Sequence, residues 1–125
     1  MNNKNLRVLA VDDDMINRKL IKSMLMKTDN VSEVIEAVNG LEALSVMKND
    51  SGIDLILLDI IMPVMGGIEF LKAVRGDAVM QSTPIIVLTT DETIRAEALN
   101  EGANDFLTKP IREKDIIEKI AKVII

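Results

Sequence analysis

The chain of 125 residues is 48% hydrophobic and 2% aromatic, enough to bury one core of Ile, Leu, Val, Met and Ala across a single domain, 1–125. With no cysteine and no histidine it has no disulfide and no thiolate zinc site, which fits a reducing compartment. A net charge of −5, with 15 basic residues scattered among 20 acidic ones, argues against direct nucleic-acid binding, which needs clustered cations.

No apolar run approaches the roughly 20 residues that cross a bilayer, and the N-terminal apolar segment is too short for a secretory signal. The sequence therefore predicts a soluble, cytoplasmic protein with no membrane partner. In chain order, "LRVLAV" (6–11) reads as a strand, followed by a helix anchored by Ile16, Leu20 and Met24. "SEVIEAV" (32–38) is the second strand and Leu41, Leu44 and Met47 anchor the second helix. "IDLILLD" (53–59) precedes a helix with Ile68, Leu71 and Val74, and "PIIVLTT" (84–90) precedes a weaker one with Ile94, Ala98 and Leu99. "DFLT" (105–108) leads into a last helix carrying Ile116, Ile120 and Ile124. Apolar positions recur at three or four residues in each helix, and the turn signals "NG", "SG", "GG", "RGD" and "EGAND" separate the elements.

Alternation of β-branched runs with helices predicts an α/β fold, a doubly wound, five-stranded parallel sheet of order 2-1-3-4-5 with five helices, the flavodoxin-like arrangement. Its ligand crevice lies beyond the carboxyl ends of the strands. Those ends carry Asp12, Asp13 and Asp14, then Asp59, then Thr89 and Thr90, then Thr108 and Lys109 before Pro110. An aspartate run after a strand also reads as a solvated turn with a helix N-cap, and Asp14 fits that role. Taken together, however, acidic, acidic, hydroxyl and basic groups stand at the same end of successive strands. At an effective dielectric near 20, two like charges about 4 Å apart repel by roughly 4 kcal/mol, so a carboxylate cluster calls for a cation. All-oxygen ligands select Mg²⁺, Mn²⁺ or Ca²⁺, and Mg²⁺ completes its shell with phosphate oxygens. A carboxylate can itself accept a phosphoryl group as an acyl phosphate.

"VLAVDDD", "LILLDIIMP", "IIVLTT" and "FLTKPI", in that order, resemble the receiver domain of two-component response regulators, over nearly the whole chain from Leu6. The resemblance implies Asp59 as phosphoacceptor, and Mg²⁺ held by Asp12, Asp13, Asp59 and the backbone carbonyl of Ile61. It implies Thr89 as switch hydroxyl, Lys109 as countercharge, Phe106 as switch aromatic and a cis peptide before Pro110. Ile16, Asn17 and Leu20 match the family's docking surface for a phosphodonor. The implied partners are a sensor histidine kinase or histidine phosphotransfer domain and an unidentified output target, with the chain a monomer or a phosphorylation-dependent dimer. Such a domain is a signalling switch that catalyses only its own phosphorylation and dephosphorylation and changes its helix 4/strand 5/helix 5 surface.

Three departures stand out: Thr90 where the family most often has a small residue, Gly66 in place of an aspartate, and Ile61 two beyond the phosphoacceptor. Ile61 cannot orient an attacking water, so it predicts slow self-hydrolysis, with Asp91 as a competing control. Other functions fit less well. A flavin or nucleotide cradle needs Gly, Ser or Thr after strand 1, where three aspartates repel phosphate. A small-molecule phosphatase needs a second acid where Ile61 stands. A receiver-like interaction module that is never phosphorylated is the remaining alternative.

Overall fold

The computed structural model describes residues 5–124; residues 1–4 and 125 of the expected domain span lie outside the described residues. Strands β1 (Leu6–Val11), β2 (Val31–Ala37), β3 (Leu55–Asp59), β4 (Ile85–Thr89) and β5 (Asp105–Thr108) alternate with helices α1 (Met15–Met26), α2 (Gly40–Asn49), α3 (Gly67–Arg75), α4 (Arg95–Asn100) and α5 (Glu113–Ile124). All strand pairs are parallel and the order is β2-β1-β3-β4-β5, as the sequence predicts.

Successive side chains of a strand point to opposite faces, and both faces here are buried. Leu9, Val11, Ile56, Leu58, Ile85, Val87 and Phe106 enter the core that includes Ala43, Met47, Phe70, Leu71, Val74 and Ala98 of α2, α3 and α4. Val8, Ala10, Leu55, Leu57, Ile86, Leu88 and Leu107 enter the opposite core, with Ile21 and Leu25 of α1 and Ile116 and Ile120 of α5. Among the described residues no helix is long and apolar enough to cross a membrane.

Helix phase departs from the sequence reading in three places. In α1 the buried residues are Ile21 and Leu25, while Ile16 is 67% and Leu20 53% exposed. The helix is apolar over more than one stripe, so periodicity leaves its rotation open, and contact with β2 and α5 selects Ile21 and Leu25. In α2, Leu41 is exposed and Ala43 and Met47 face the sheet; in α4, Leu99 is exposed and Ala98 is buried. Here the smaller residue wins because the close helix-to-sheet approach leaves room for a methyl group. Two strands end one residue earlier, with Val38 and Thr90 outside β2 and β4, and β3 starts two residues later, at Leu55.

Long-range tethers fix the loops. The half-buried Arg75 at the end of α3 donates to the carbonyls of Gly102 (Nε, 2.9 Å), Gln81 (Nη1, 3.0 Å) and Thr83 (Nη1, 2.8 Å) and to Asn104 Oδ1 (Nη2, 2.9 Å). Gly102, at φ +112, is the one position of this corner where a side chain is excluded both by backbone conformation and by Arg75. Arg75→Ala is expected to cost about 2–3 kcal/mol by leaving these acceptors without their charged donor, and Arg75→Lys to restore little of it. Thermal unfolding of the two variants measures this.

At the opposite end of the sheet from the strand-end aspartates, Arg7 grips Asp50 with two 2.7 Å hydrogen bonds and Glu33 with one of 2.9 Å. The Arg7 hydrogen bond lowers the Asp50 pKa from 3.8 to about 2, with the Gly52 N–H assisting. A depressed carboxylate pKa contributes stability that is complete above the unfolded value and lost as pH falls through the folded value. The Tm difference between wild type and Asp50→Asn is therefore expected to be present at neutral pH, to shrink between pH 3.8 and about 2, and to vanish below.

Candidate functional site

Period-2 alternation continues past the strand ends and sorts the polar residues. Asp12 has the register parity of Val8 and Ala10, Asp59 that of Leu55 and Leu57, and Lys109 that of Leu107, all of which enter the α1/α5 core. Thr89 has the parity of Ile85 and Val87 and, with Phe106, belongs to the other side. The carboxylates and the ammonium thus meet on one face. Lys109 Nζ lies 3.0 Å from Asp12 Oδ2 and 3.2 Å from Asp59 Oδ1.

Asp12 and Asp59 are buried and Asp13 is exposed, and one carboxylate oxygen from each lies within 4.8 Å of the others. Asp12 Oδ1 accepts from the Asp14 N–H at 2.9 Å, which curls the loop after β1. Asp14 caps α1 by accepting from the N–H groups of Ile16 and Asn17, at 2.8 and 3.4 Å. The aspartate run therefore splits by role: Asp14 is the cap, and Asp12 and Asp13 face the cluster. Arg18, which the sequence did not single out, holds the same loop from α1 through a 2.8 Å hydrogen bond to the Asp12 carbonyl. It also pairs with Glu36 of β2; a lone arginine in a helix carries no local mark of which carboxylate it will meet.

Burial pushes the Asp59 pKa up, the Lys109 charge opposes this, and Asp12 and Asp13 add to the rise. For Lys109, burial lowers the pKa, but the Asp12 hydrogen bond and the Asp59 charge outweigh it and the net shift is upward. For Asp59 burial leads and its one ammonium stands against two like charges, whereas for Lys109 two carboxylate partners outweigh burial. Three carboxylates against one ammonium leave two negative charges, which a divalent cation neutralises. The donor set is all oxygen, and it fits a hard ion such as Mg²⁺ or Ca²⁺.

Thr89 is buried, and its Oγ1 accepts from the Asp91 N–H at 3.1 Å. Asp91 is turned into its own turn, accepting from the N–H and hydroxyl of Thr93. Phe106 is buried, with the Arg95 guanidinium 5.6 Å from its ring centroid. The Lys109–Pro110 peptide bond is cis. Ile61 is 68% exposed just past β3. Ile16 and Leu20 stand outward on α1 and Asn17 is half-buried there.

A doubly wound parallel sheet with an acidic cluster and a lysine at its carboxyl edge defines the class, a flavodoxin-like α/β domain with its polar site at the strand ends. Residues 8–121 match the family model of the response regulator receiver domain, and the chain belongs to that family. Receiver domains are signalling modules of two-component systems. The chain is 33% identical over 122 residues to a chemotaxis protein CheY homolog of Campylobacter jejuni, covering 95% of this chain and 92% of that protein. The structure of chemotaxis protein CheY4 of Vibrio cholerae superposes with a TM-score of 0.85 at 36% identity, covering 94% of this chain and 98% of that one. The receiver domain of sensor histidine kinase PA1611 from Pseudomonas aeruginosa, described with a magnesium ion in its active-site cleft, gives a TM-score of 0.86 at 26% identity, covering 96% and 98%.

Proposed function

We propose that the protein is a phosphoacceptor switch in which Asp59 takes a phosphoryl group from a partner's phosphohistidine. The observation that carries this reading is the convergence of Asp12, Asp13 and Asp59 around one lysine whose ammonium contacts two of them. Asp12, Asp13, Asp59 and the backbone carbonyl of Ile61 would hold Mg²⁺. When bound, the ion supplies charge neutralisation for the phosphoryl oxygens.

The rest is the work of this chain's own groups. An Asp59 carboxylate oxygen forms the new bond to phosphorus as the bond to the donor imidazole breaks and that nitrogen keeps the electron pair. Lys109 Nζ, already 3.2 Å from Asp59 Oδ1, provides positive charge beside the acceptor. Thr89 Oγ1 accepts from the Asp91 N–H, so the Thr89 hydroxyl hydrogen is available to a phosphoryl oxygen. Ile16, Asn17 and Leu20 serve as docking contacts for the kinase or phosphotransfer domain. Phe106 and the α4/β5/α5 surface transmit the change to an output target as a shift between two populations.

Intact-mass spectrometry after incubation with acetyl phosphate, with and without Mg²⁺, tests the reading. One phosphoryl adduct that requires Mg²⁺ and maps to Asp59 is the expected result. Absence of an adduct from folded protein, with a purified phosphohistidine protein donor as well, would leave the interaction-module reading in its place.

Ile61 governs how long the adduct lasts. Its exposed apolar side chain offers a water no hydrogen bond, and Asp91 is engaged with Thr93. Ile61→Asn is expected to speed loss of the phosphoryl group by about tenfold, short of the roughly 100-fold that a positioned proton acceptor contributes. An unchanged phosphoryl lifetime would reject the assignment.

A further inference from the structure

The loop after β1 carries Asp12 and Asp13, and a side chain from outside the acidic cluster holds its backbone. Every polar atom of Asp12 is engaged. Its N–H donates to the Ala37 carbonyl of β2 at 3.1 Å, Oδ1 accepts from the Asp14 N–H and Oδ2 from Lys109. Its carbonyl accepts from Arg18 Nη1 at 2.8 Å. That carbonyl shares one planar peptide unit with the Asp13 N–H, so the contact that fixes the plane also fixes where the Asp13 side chain leaves the backbone. Asp13 is exposed and depends on that backbone more than on packing.

Arg18 is in turn placed by Glu36. The guanidinium reaches in two directions, Nε to Glu36 Oε1 at 3.1 Å and Nη1 to the Asp12 carbonyl. Both side chains are largely buried, at 11% and 19% exposed, whereas Lys19, a second partner of Glu36 at 2.8 Å, is 58% exposed. An unpaired guanidinium beside a cation site repels the cation. Paired with Glu36, it brings a hydrogen-bond donor to the loop and no net charge.

We infer that Arg18 is a positioning residue for the metal-binding loop: held by Glu36 of β2, it sets the Asp12–Asp13 peptide plane and thereby the affinity of the acidic cluster for Mg²⁺. The inference rests on Asp12 and Asp13 as ligands of the ion and adds a control of that affinity outside the cluster, at the contact of α1 with β2. Arginine suits the task because its planar fork bridges a carboxylate and a carbonyl at once, which the single point charge of lysine does not. Mg²⁺ demands near-ideal octahedral geometry, so a misplaced carboxylate costs affinity.

The test is a Mg²⁺ titration of the folded protein, followed through its backbone amide resonances, in the wild type, Arg18→Lys, Glu36→Gln, the double variant and Lys19→Gln. Arg18→Lys keeps the charge and removes the fork. Groups that orient metal ligands typically contribute 10- to 100-fold in affinity; Arg18 acts one step further from the ion, through the backbone, so a dissociation constant raised about tenfold is expected. The Asp13 amide resonance should shift in this variant before any metal is added. Glu36→Gln should weaken binding by a smaller factor, and the double variant should match Arg18→Lys, because Glu36 acts through Arg18 and the two effects do not add. Lys19→Gln removes an exposed partner of Glu36 that does not touch Asp12, and its dissociation constant should stay within about twofold of the wild type. A purely stabilising role would lower the Tm of Arg18→Lys and leave its dissociation constant unchanged, which overturns the inference. Independent, multiplying effects of Arg18→Lys and Glu36→Gln overturn the relay from β2. No Mg²⁺ binding by the wild type overturns the reading of the cluster as a metal site.

Discussion

Asp59→Asn is expected to abolish phosphoryl uptake and, in metal-free buffer, to make the fold more stable. The two effects have one origin. Asp59 is buried at the end of β3, with Asp12 and Asp13 offering oxygens within 4.8 Å and Lys109 at 3.2 Å. Neutralising it removes two repulsions and the cost of desolvating a charge, at the expense of one attraction. With each such pair worth up to roughly 4 kcal/mol before solvent screening at the open Asp13 side, a net gain of about 1 kcal/mol is expected. For a domain of this size that is a Tm increase of about 4 °C. Added Mg²⁺ should stabilise the wild type and close this gap, because a ligand that binds only the folded state raises its stability. Thermal unfolding with and without Mg²⁺, beside intact-mass labelling, reads both halves. A variant less stable than the wild type in metal-free buffer would show that the Lys109 contact outweighs the repulsion.

Gly67→Ala is the substitution expected to damage the scaffold most at the least chemical change. A Cβ at Gly67 would stand 2.6 Å from the Asp59 carbonyl oxygen and 2.7 Å from Ile60 Cα, both backbone atoms that cannot swing aside. The first turn of α3 is pressed directly against the end of β3, and the Gly67 N–H donates to the Ile60 carbonyl at 2.9 Å. The added methyl must push α3 and the acceptor's own backbone apart, at a cost of about 1–3 kcal/mol or more. A Tm decrease of about 4–12 °C is expected, with slower uptake at Asp59 because its carbonyl is the atom displaced. Gly66 is the contrasting neighbour. It is the N-cap of α3 with no side-chain cap bond, and a Cβ there comes no closer than 3.4 Å to its surroundings. Gly66→Asp supplies the missing cap and should gain a few tenths of a kcal/mol. Equal effects at the two positions would mean that the close approach at Gly67 is not what limits the fold.

Much of this site was legible before folding because its residues sit at strand ends. Runs such as "VLAV" and "LILLD" mark strands by composition, and a parallel sheet brings their carboxyl ends to one edge, so Asp12, Asp59, Thr89 and Lys109 could be placed there. Asp14 as a cap was legible for a similar reason, since N-caps depend only on the next few residues. Arg75, Arg18 and the Arg95 contact with Phe106 were not. Each guanidinium spans elements whose contact depends on helix rotation and loop path, and an isolated arginine in a helix carries no local mark of its target. The rotation of α1 was misread for the same reason: Ile16, Leu20 and Met24 form as good an apolar stripe as Ile21 and Leu25.

The sequence by itself determined the order and type of the elements, the single parallel sheet, and the set of groups at its carboxyl edge. These follow from periodicity, turn chemistry and side-chain charge within short windows. Only the tertiary structure decided which face of α1, α2 and α4 is buried, how the loops are tied, and that a groove lined by Lys109 and one face of α1 opens beside the site. It also fixed the 3.0 Å contact between Lys109 and Asp12, residues 97 positions apart. The reason is that a helix with apolar residues on more than one face has several rotations of similar local energy. Close packing against the whole assembled sheet selects one of them, and with it what remains exposed for function.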